Sequence, residues 1–274
     1  MKNCIISLLS IFLISVVAFT SCELFQIDNY DDPSETLKGE VVDIATGDRI
    51  LTDQTNDGIR IRLRELSWTA TEVPENFDFR CMKDGTFQNT KLFAGHYNVR
   101  IDGPFIPLVR VNQQGDTLVD GSRYIDIKGV TELKFEVQPF LKVEWAGTPT
   151  VNNGQITASF KVTRAVSPED FRAKVEPMGG YNTNWLEVSD VRLFVGEVAY
   201  VGLSINDNRY SIISMNYTGN AFESLLGQTI TVTTQGSIPA GRTVFIRAAA
   251  RIRYTTENVS RYNYNEAIRV DIPR

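Results

Sequence analysis

From residue 37 onward the chain is dominated by alternation of apolar and polar positions, the two-residue period of half-buried strands. Leu37-Lys38-Gly39-Glu40-Val41-Val42 opens a strand, and Asp43-Ile44-Ala45-Thr46-Gly47 closes it with turn-forming residues. Ile59, Ile61 and Leu63 alternate with Arg60, Arg62 and Arg64, so a strand here buries the aliphatic set and turns the guanidiniums to a solvated face. Phe77, Phe79 and Cys81 share one parity and predict an inward face. Tyr97, Val99 and Ile101 form another alternating set after Ala94-Gly95. Leu133, Phe135 and Val137 do the same before Gln138-Pro139 interrupts the pattern. In the second half, residues 156–162, 190–195, 209–215, 229–233, 242–254 and 266–272 are predicted strands. In 242–254, Ile246, Ala248, Ala250, Ile252 and Tyr254 line one face and Arg247, Ala249, Arg251 and Arg253 the other, whereas a helix would spread the charges around its cylinder. Helical exceptions are predicted at Ser167-Pro168-Glu169-Asp170, a cap followed by proline, and at residues 220–226. The expectation is an all-β chain of two β-sandwich domains, residues 37–138 and 139–274, divided at the Pro139 break.

The first residues follow a different rule. Lys2 precedes an apolar run over residues 5–19, and Thr20-Ser21 leads to Cys22. This resembles a bacterial lipoprotein signal with a relaxed lipobox at Phe19-Thr20-Ser21-Cys22. The resemblance implies a signal peptide over residues 1–21 and lipidation of Cys22, so that the mature protein reaches membrane lipid through that residue. An uncleaved membrane helix is the competing reading, against which the apolar run is short for a bilayer span. Glu23, Asp28, Asp31, Asp32 and Glu35 make residues 22–36 an acidic tether. Acidic residues after a lipidated cysteine also resemble surface-export signals of Bacteroidetes lipoproteins, without their commonest lysine-led form.

Composition narrows the chemistry. The 274 residues are 42% hydrophobic and 22% charged, a globular balance, and the formal charge of -5 argues against a nucleic-acid partner. A single histidine excludes a three-histidine metal site within one chain. That residue, His96, shares parity with polar Asn98 and Arg100, and its neighbours supply no nucleophile and acid for a triad. Cys4 falls in the signal and Cys22 at the lipidation position, which leaves Cys81 without a disulfide partner and reads it as a buried small hydrophobe. Asp53-Gln54-Thr55-Asn56-Asp57-Gly58 begins like a calcium loop but puts Arg64 where the bidentate glutamate belongs, so a polar turn is expected and no metal or cofactor. Asn216-Tyr217-Thr218 and Asn258-Val259-Ser260 match an N-glycan acceptor pattern, and Asp116-Thr117-Leu118 resembles a Bacteroidetes O-glycosylation signal.

Residues 39–47, Asp84-Gly85-Thr86-Phe87 and Leu92-Phe93-Ala94-Gly95-His96-Tyr97-Asn98-Val99 resemble the transthyretin-like, carboxypeptidase-regulatory type of sandwich. With Tyr30-Asp31-Asp32-Pro33, Phe87-Gln88-Asn89-Thr90-Lys91-Leu92-Phe93-Ala94-Gly95 and Val137-Gln138-Pro139-Phe140, the chain resembles the Bacteroidetes lipoproteins of domain-of-unknown-function family 3823. That resemblance implies a transthyretin-like domain followed by an immunoglobulin-like one. It also implies an outer-membrane, cell-surface location, glycan as a ligand, and a SusC/SusD-like importer complex as partner. Fold analogy alone places no sugar site.

The residues themselves offer only candidate surfaces. Met178-Gly179-Gly180-Tyr181-Asn182-Thr183-Asn184-Trp185 combines rings that can cover sugar C–H faces with amides that can bond hydroxyls, so Tyr181, Asn182, Asn184 and Trp185 are candidate glycan-binding residues. Ordinary turn structure and aromatic packing compete for the same segment. Trp68, after Leu66-Ser67, is a further candidate, with a core-edge role as its alternative, and Trp145 has the parity of Leu141 and Val143 and is expected in packing. Carboxylates are numerous, but a glycosidase pair needs a separation that linear sequence does not give, so no catalytic residues are assigned. The leading expectation is a noncatalytic surface glycan-binding or importer-accessory lipoprotein. The alternative is a structural or protein-interaction module of an outer-membrane complex, with an enzyme third.

Overall fold

The computed structural model describes residues 32–67, 75–212 and 215–274. Cys22, most of the acidic tether and Trp68 lie outside the described residues. Residues 34–274 form one compact unit of all-β, multi-sheet architecture.

β1 (Glu35–Asp43) starts two residues before the expected Leu37 and runs antiparallel to β4 (Thr86–Leu92) and parallel to β9 (Val130–Val137). The parallel register is unbroken from Thr36 opposite Val130 to Asp43 opposite Val137. Gly39 permits this close triple: a Cβ there would stand 2.0 Å from the Leu133 carbonyl oxygen and 2.5 Å from the Phe87 ring. A second sheet orders β3 (Asn76–Arg80), β2 (Arg60–Glu65), β5 (Gly95–Asp102) and β8 (Arg123–Ile127), all antiparallel. Leu37, Val41, Phe87 and Phe135 of the first sheet share one buried cluster with Ile61, Leu63, Tyr97 and Val99 of the second, and Cys81 belongs to it. Phe77 departs from its predicted inward parity and is exposed, on β3 at the edge of its sheet. The arginines of β2 are not simply solvated. Arg60 reaches Asp102 at 2.5 Å and Arg62 reaches Asp78 at 2.8 Å, so these cross-strand pairs cover their guanidiniums.

A hairpin of β6 (Val109–Val111) and β7 (Thr117–Asp120) leads through β8 and β9 to β10 (Leu141–Trp145). There β12 (Gln155–Arg164) pairs with β10, with β11 (Thr150–Asn152) and with β14 (Thr229–Thr233). In the opposing sheet β15 (Thr243–Ile252) pairs with β13 (Val188–Gly196), β16 (Asn263–Tyr264) and β17 (Ile268–Asp271). Val143, Phe160 and Val162 meet Val191, Leu193, Ile246 and Ala248 in one core, against which Trp145 packs as its parity requires. Of the strand expected at 209–215, residues 209–211 form a turn in which the backbone N–H groups of Tyr210 and Ser211 both bond the Asp207 carbonyl; Ile212 bridges Leu193, Met215 N–H bonds the Val191 carbonyl, and residues 213–214 lie outside the described residues.

The largest departure from alternation is the other face of β15, where Arg247 is only 1% exposed. It lies over the Tyr264 ring at 4.4 Å and donates to the carbonyls of Asn265 at 2.8 Å, Thr52 at 2.9 Å and Lys83 at 3.4 Å. Arg261 donates to the carbonyls of Asn56 and Gly58, Asn263 to that of Pro104 and Thr256 to that of Gly103. Asp53 of the expected polar turn is buried and accepts from the Tyr264 hydroxyl at 3.3 Å. Phe194, Val201, Ala249, Tyr262 and Tyr264 form a third apolar cluster, with Leu51 against it. Side chains of the second half thus satisfy backbone carbonyls of the first in a region withdrawn from water.

Candidate functional site

The segment that presents the candidate loop begins with α1 (Pro168–Val175), capped as predicted: Ser167 accepts from the Asp170 N–H at 3.1 Å and Pro168 opens the first turn. Phe171 and Val175 face the second core. A 3-10 turn, Glu176–Met178, and the positive-φ pair Gly179 and Gly180 then turn the chain outward. The Asn182 side chain accepts from the Asn184 N–H at 2.9 Å and starts a second 3-10 turn, Thr183–Leu186, which fixes Trp185.

The aromatic rings form a connected set. Trp185 meets Tyr181 at 6.2 Å and Tyr254 at 5.3 Å, both edge to face, and Tyr254 meets Phe171 at 5.4 Å and Phe140 at 5.8 Å. Trp185 and Tyr181 are half-buried at the rim of the second core, whereas Asn182, Thr183 and Asn184 are exposed. The Arg172 guanidinium lies 5.3 Å from the Tyr181 ring centre and forks onto Glu176 at 2.9 and 3.0 Å. That hydrogen bonding holds the Glu176 carboxyl below its ordinary range, while burial pushes the Tyr254 phenol up. Four of the five predicted residues therefore lie together. Sequence reasoning missed Arg172 as a partner of Tyr181, although the Ser167-Pro168 cap placed a helix there. It assigned Tyr254 only to a buried strand face.

No family model matches the chain, and no curated protein matches it. Among solved structures, one of a DUF3823 family protein from Bacteroides uniformis is 55% identical, covers 88% of this chain and all (100%) of its own, and superposes with a TM-score of 0.84. The chain belongs to the DUF3823 family. A putative carbohydrate binding protein from Bacteroides uniformis, 17% identical, covers 88% of this chain and 100% of its own with a TM-score of 0.60. A DUF3823 family protein from Parabacteroides merdae, 18% identical, has the same coverage, 88% and 100%, and a TM-score of 0.59. These two share the fold.

His96 and Cys81 of this DUF3823 protein have structural surroundings. His96 Nδ1 stands 2.8 Å from an Asp126 carboxylate oxygen across β5 and β8 on an exposed face, the polar face its parity predicts. Cys81 is 1% exposed, and burial pushes its thiol far up, away from the reactive thiolate. Among the described residues, no three of histidine, cysteine, aspartate and glutamate are grouped to hold a metal ion.

Proposed function

We propose that this DUF3823 protein is a noncatalytic glycan-binding or importer-accessory lipoprotein, anchored in the outer membrane through Cys22 and displayed at the cell surface. Its two sandwiches would be a transthyretin-like domain over residues 37–138 and an immunoglobulin-like domain over residues 139–274, with a SusC/SusD-like importer as neighbour. The observation that carries the reading is the juxtaposition of half-buried Tyr181 and Trp185 with exposed Asn182 and Asn184. Rings fixed by packing give apolar area for sugar C–H groups at little entropic cost, and amides beside them bond hydroxyls. The shared fold with a protein described as putative carbohydrate binding is in keeping with it. Trp185→Ala in the full, detergent-solubilised chain should abolish binding on a polysaccharide panel that the wild type passes. A correctly folded variant that binds like wild type removes this surface from the proposal.

A second reading, a protein-interaction module, draws on the hairpin β6–β7, where Val111, Leu118 and Val119 are exposed. Pull-down of a membrane partner that is lost with Leu118→Ser but retained with Trp185→Ala would favour it.

A further inference from the structure

A cleft of about 260 Å³ opens between the turn after β1 and strands β10 and β16. Leu141 and Val143 of the second core, Tyr264 and a tightly bonded turn line it. Asp43 N–H donates to the Asp48 carbonyl and Gly47 N–H to the Asp43 carbonyl, both at 2.8 Å, and Gly47 holds φ at +79°. Asp43 is 9% exposed; its Oδ1 accepts from the Ala45 N–H at 2.9 Å, and its Oδ2 has no donor among the described residues. Asp48 contributes a second, exposed carboxylate that has no side-chain partner among the described residues. Asn265, which also lines the cleft, is 3% exposed and accepts from the Ala248 N–H through Oδ1 at 2.8 Å, while its buried Nδ2 has no partner among the described residues.

An unmade hydrogen bond on a buried amide is costly, so a built cleft that gathers spare acceptors and a spare donor is matched to a ligand offering both. The cations at the rim are already engaged: Arg49 with Glu40 at 2.9 Å and Lys142 with Glu144 at 3.1 Å. An anionic ligand would therefore find no free positive charge, and the carboxylates would repel it. Among the described residues, no three carboxylates converge for a divalent cation. Hydroxyls can donate to Asp43 and Asp48 without charge repulsion, and the cleft is also lined by Asn265, whose Nδ2 lacks an acceptor among the described residues. The volume lies just under the roughly 300 Å³ lower end of small-molecule sites, room for one ring rather than a chain.

We infer that this cleft is a subsite for a single neutral, pyranose-sized polyhydroxylated ring, separate from the Trp185 edge. The inference rests on the glycan reading and names a second site for it. The test uses the full chain in detergent with neutral methyl glycosides of glucose, galactose, mannose, xylose and rhamnose, with methyl glucuronide as the anionic control. Binding is followed by saturation-transfer NMR and titration.

One or more neutral glycosides should bind and the glucuronide should not. Asp43→Asn, which keeps the Oδ1 acceptor of the turn, and Asp48→Ala should each weaken binding at least fivefold without moving the thermal midpoint, and Trp185→Ala should leave it unchanged. Equal affinity in Asp43→Asn, Asp48→Ala and wild type overturns the subsite. So does binding of oligosaccharides alone, lost with Trp185→Ala, which would leave the cleft holding ordered water only and the glycan reading intact. Failure of every mono- and polysaccharide overturns both.

Discussion

Arg247 offers the most direct test of how the chain is held together. Replacing it with methionine keeps an unbranched stem against Tyr264 and removes only the guanidinium. Two carbonyls, of Asn265 and Thr52, then lose donors at 2.8 and 2.9 Å, and a third, of Lys83, loses a longer contact at 3.4 Å. Leaving a buried carbonyl unpaired costs about 1–3 kcal/mol, so two full losses predict a destabilisation of about 3 kcal/mol, with the long contact adding little. An opposing effect is present: Arg247 has no carboxylate within ion-pair distance among the described residues, and burial depresses its pKa, so removing it relieves a desolvation penalty. Delocalised guanidinium is weakly hydrated and lies over an aromatic face, which keeps that relief smaller than the loss. Urea unfolding of wild type and Arg247→Met at neutral pH measures the balance, and a loss of about 3 kcal/mol corresponds to a midpoint roughly 6–12 °C lower in a thermal scan. A variant within about 0.5 kcal/mol of wild type, the range of ordinary surface substitutions, would refute the reasoning and make the junction an apolar contact that happens to contain an arginine.

Other expectations follow from single residues. Gly39→Ala should prevent normal folding, since its Cβ would overlap the Leu133 carbonyl at 2.0 Å; soluble expression with an unaltered midpoint would contradict the close triple β4–β1–β9. Burial, reinforced by the charge of Asp53, raises the Asp57 pKa above its ordinary value. Asp57 therefore favours folding below its unfolded pKa and penalises it as pH rises through the folded one, so Asp57→Asn should stabilise at pH 7 by under about 1 kcal/mol after solvent screening, with no gain near pH 3. Asp78 has the opposite sign: the Arg62 hydrogen bond lowers its pKa, so its contribution is present above the ordinary aspartate range and lost as pH falls below it. Asp78→Asn should flatten the acid limb of a stability–pH curve. Cys81 should resist a thiol reagent in the native protein and react on unfolding; rapid native labelling would contradict its burial.

Much of the strand pattern was legible because burial on one sheet face imposes a two-residue period directly on side-chain polarity. Ile61, Leu63, Val99 and Phe135 read inward and are inward. The helix after Ser167 was legible for a local reason as well, its cap and its proline being adjacent in sequence. What escaped was set by contacts distant in the chain. Arg247 is polar, so alternation sent it to solvent; its partners Thr52 and Lys83 lie more than 150 residues away, |i−j| 195 and 164, and no local pattern announces a guanidinium paired with carbonyls. The same holds for Asp53, whose turn-like neighbourhood gave no sign that Tyr264 would cover it. Parity also misplaced Phe77, because alternation marks the face of a strand but not whether another sheet extends over it.

The contacts around Arg247 overlap the cleft. Tyr264 is the ring beneath Arg247, the partner of Asp53 and part of the cleft lining, while Asn265 supplies both a carbonyl to Arg247 and an amide to the cleft. Cleft and junction therefore share residues, and a substitution at Tyr264 or Asn265 disturbs stability and any ligand together. Asp43 and Asp48 stand on the opposite wall, in a turn closed by its own hydrogen bonds, and Trp185 stands in an aromatic set that includes neither Tyr264 nor Asn265. If the junction serves only to set the cleft walls, Arg247→Met should weaken a ring bound at Asp43 and leave polysaccharide binding at Trp185 unchanged, measured below the temperature at which the variant begins to unfold. Equal weakening at both surfaces would mean that they respond to global stability alone, and the cleft would lose its claim to a geometry of its own.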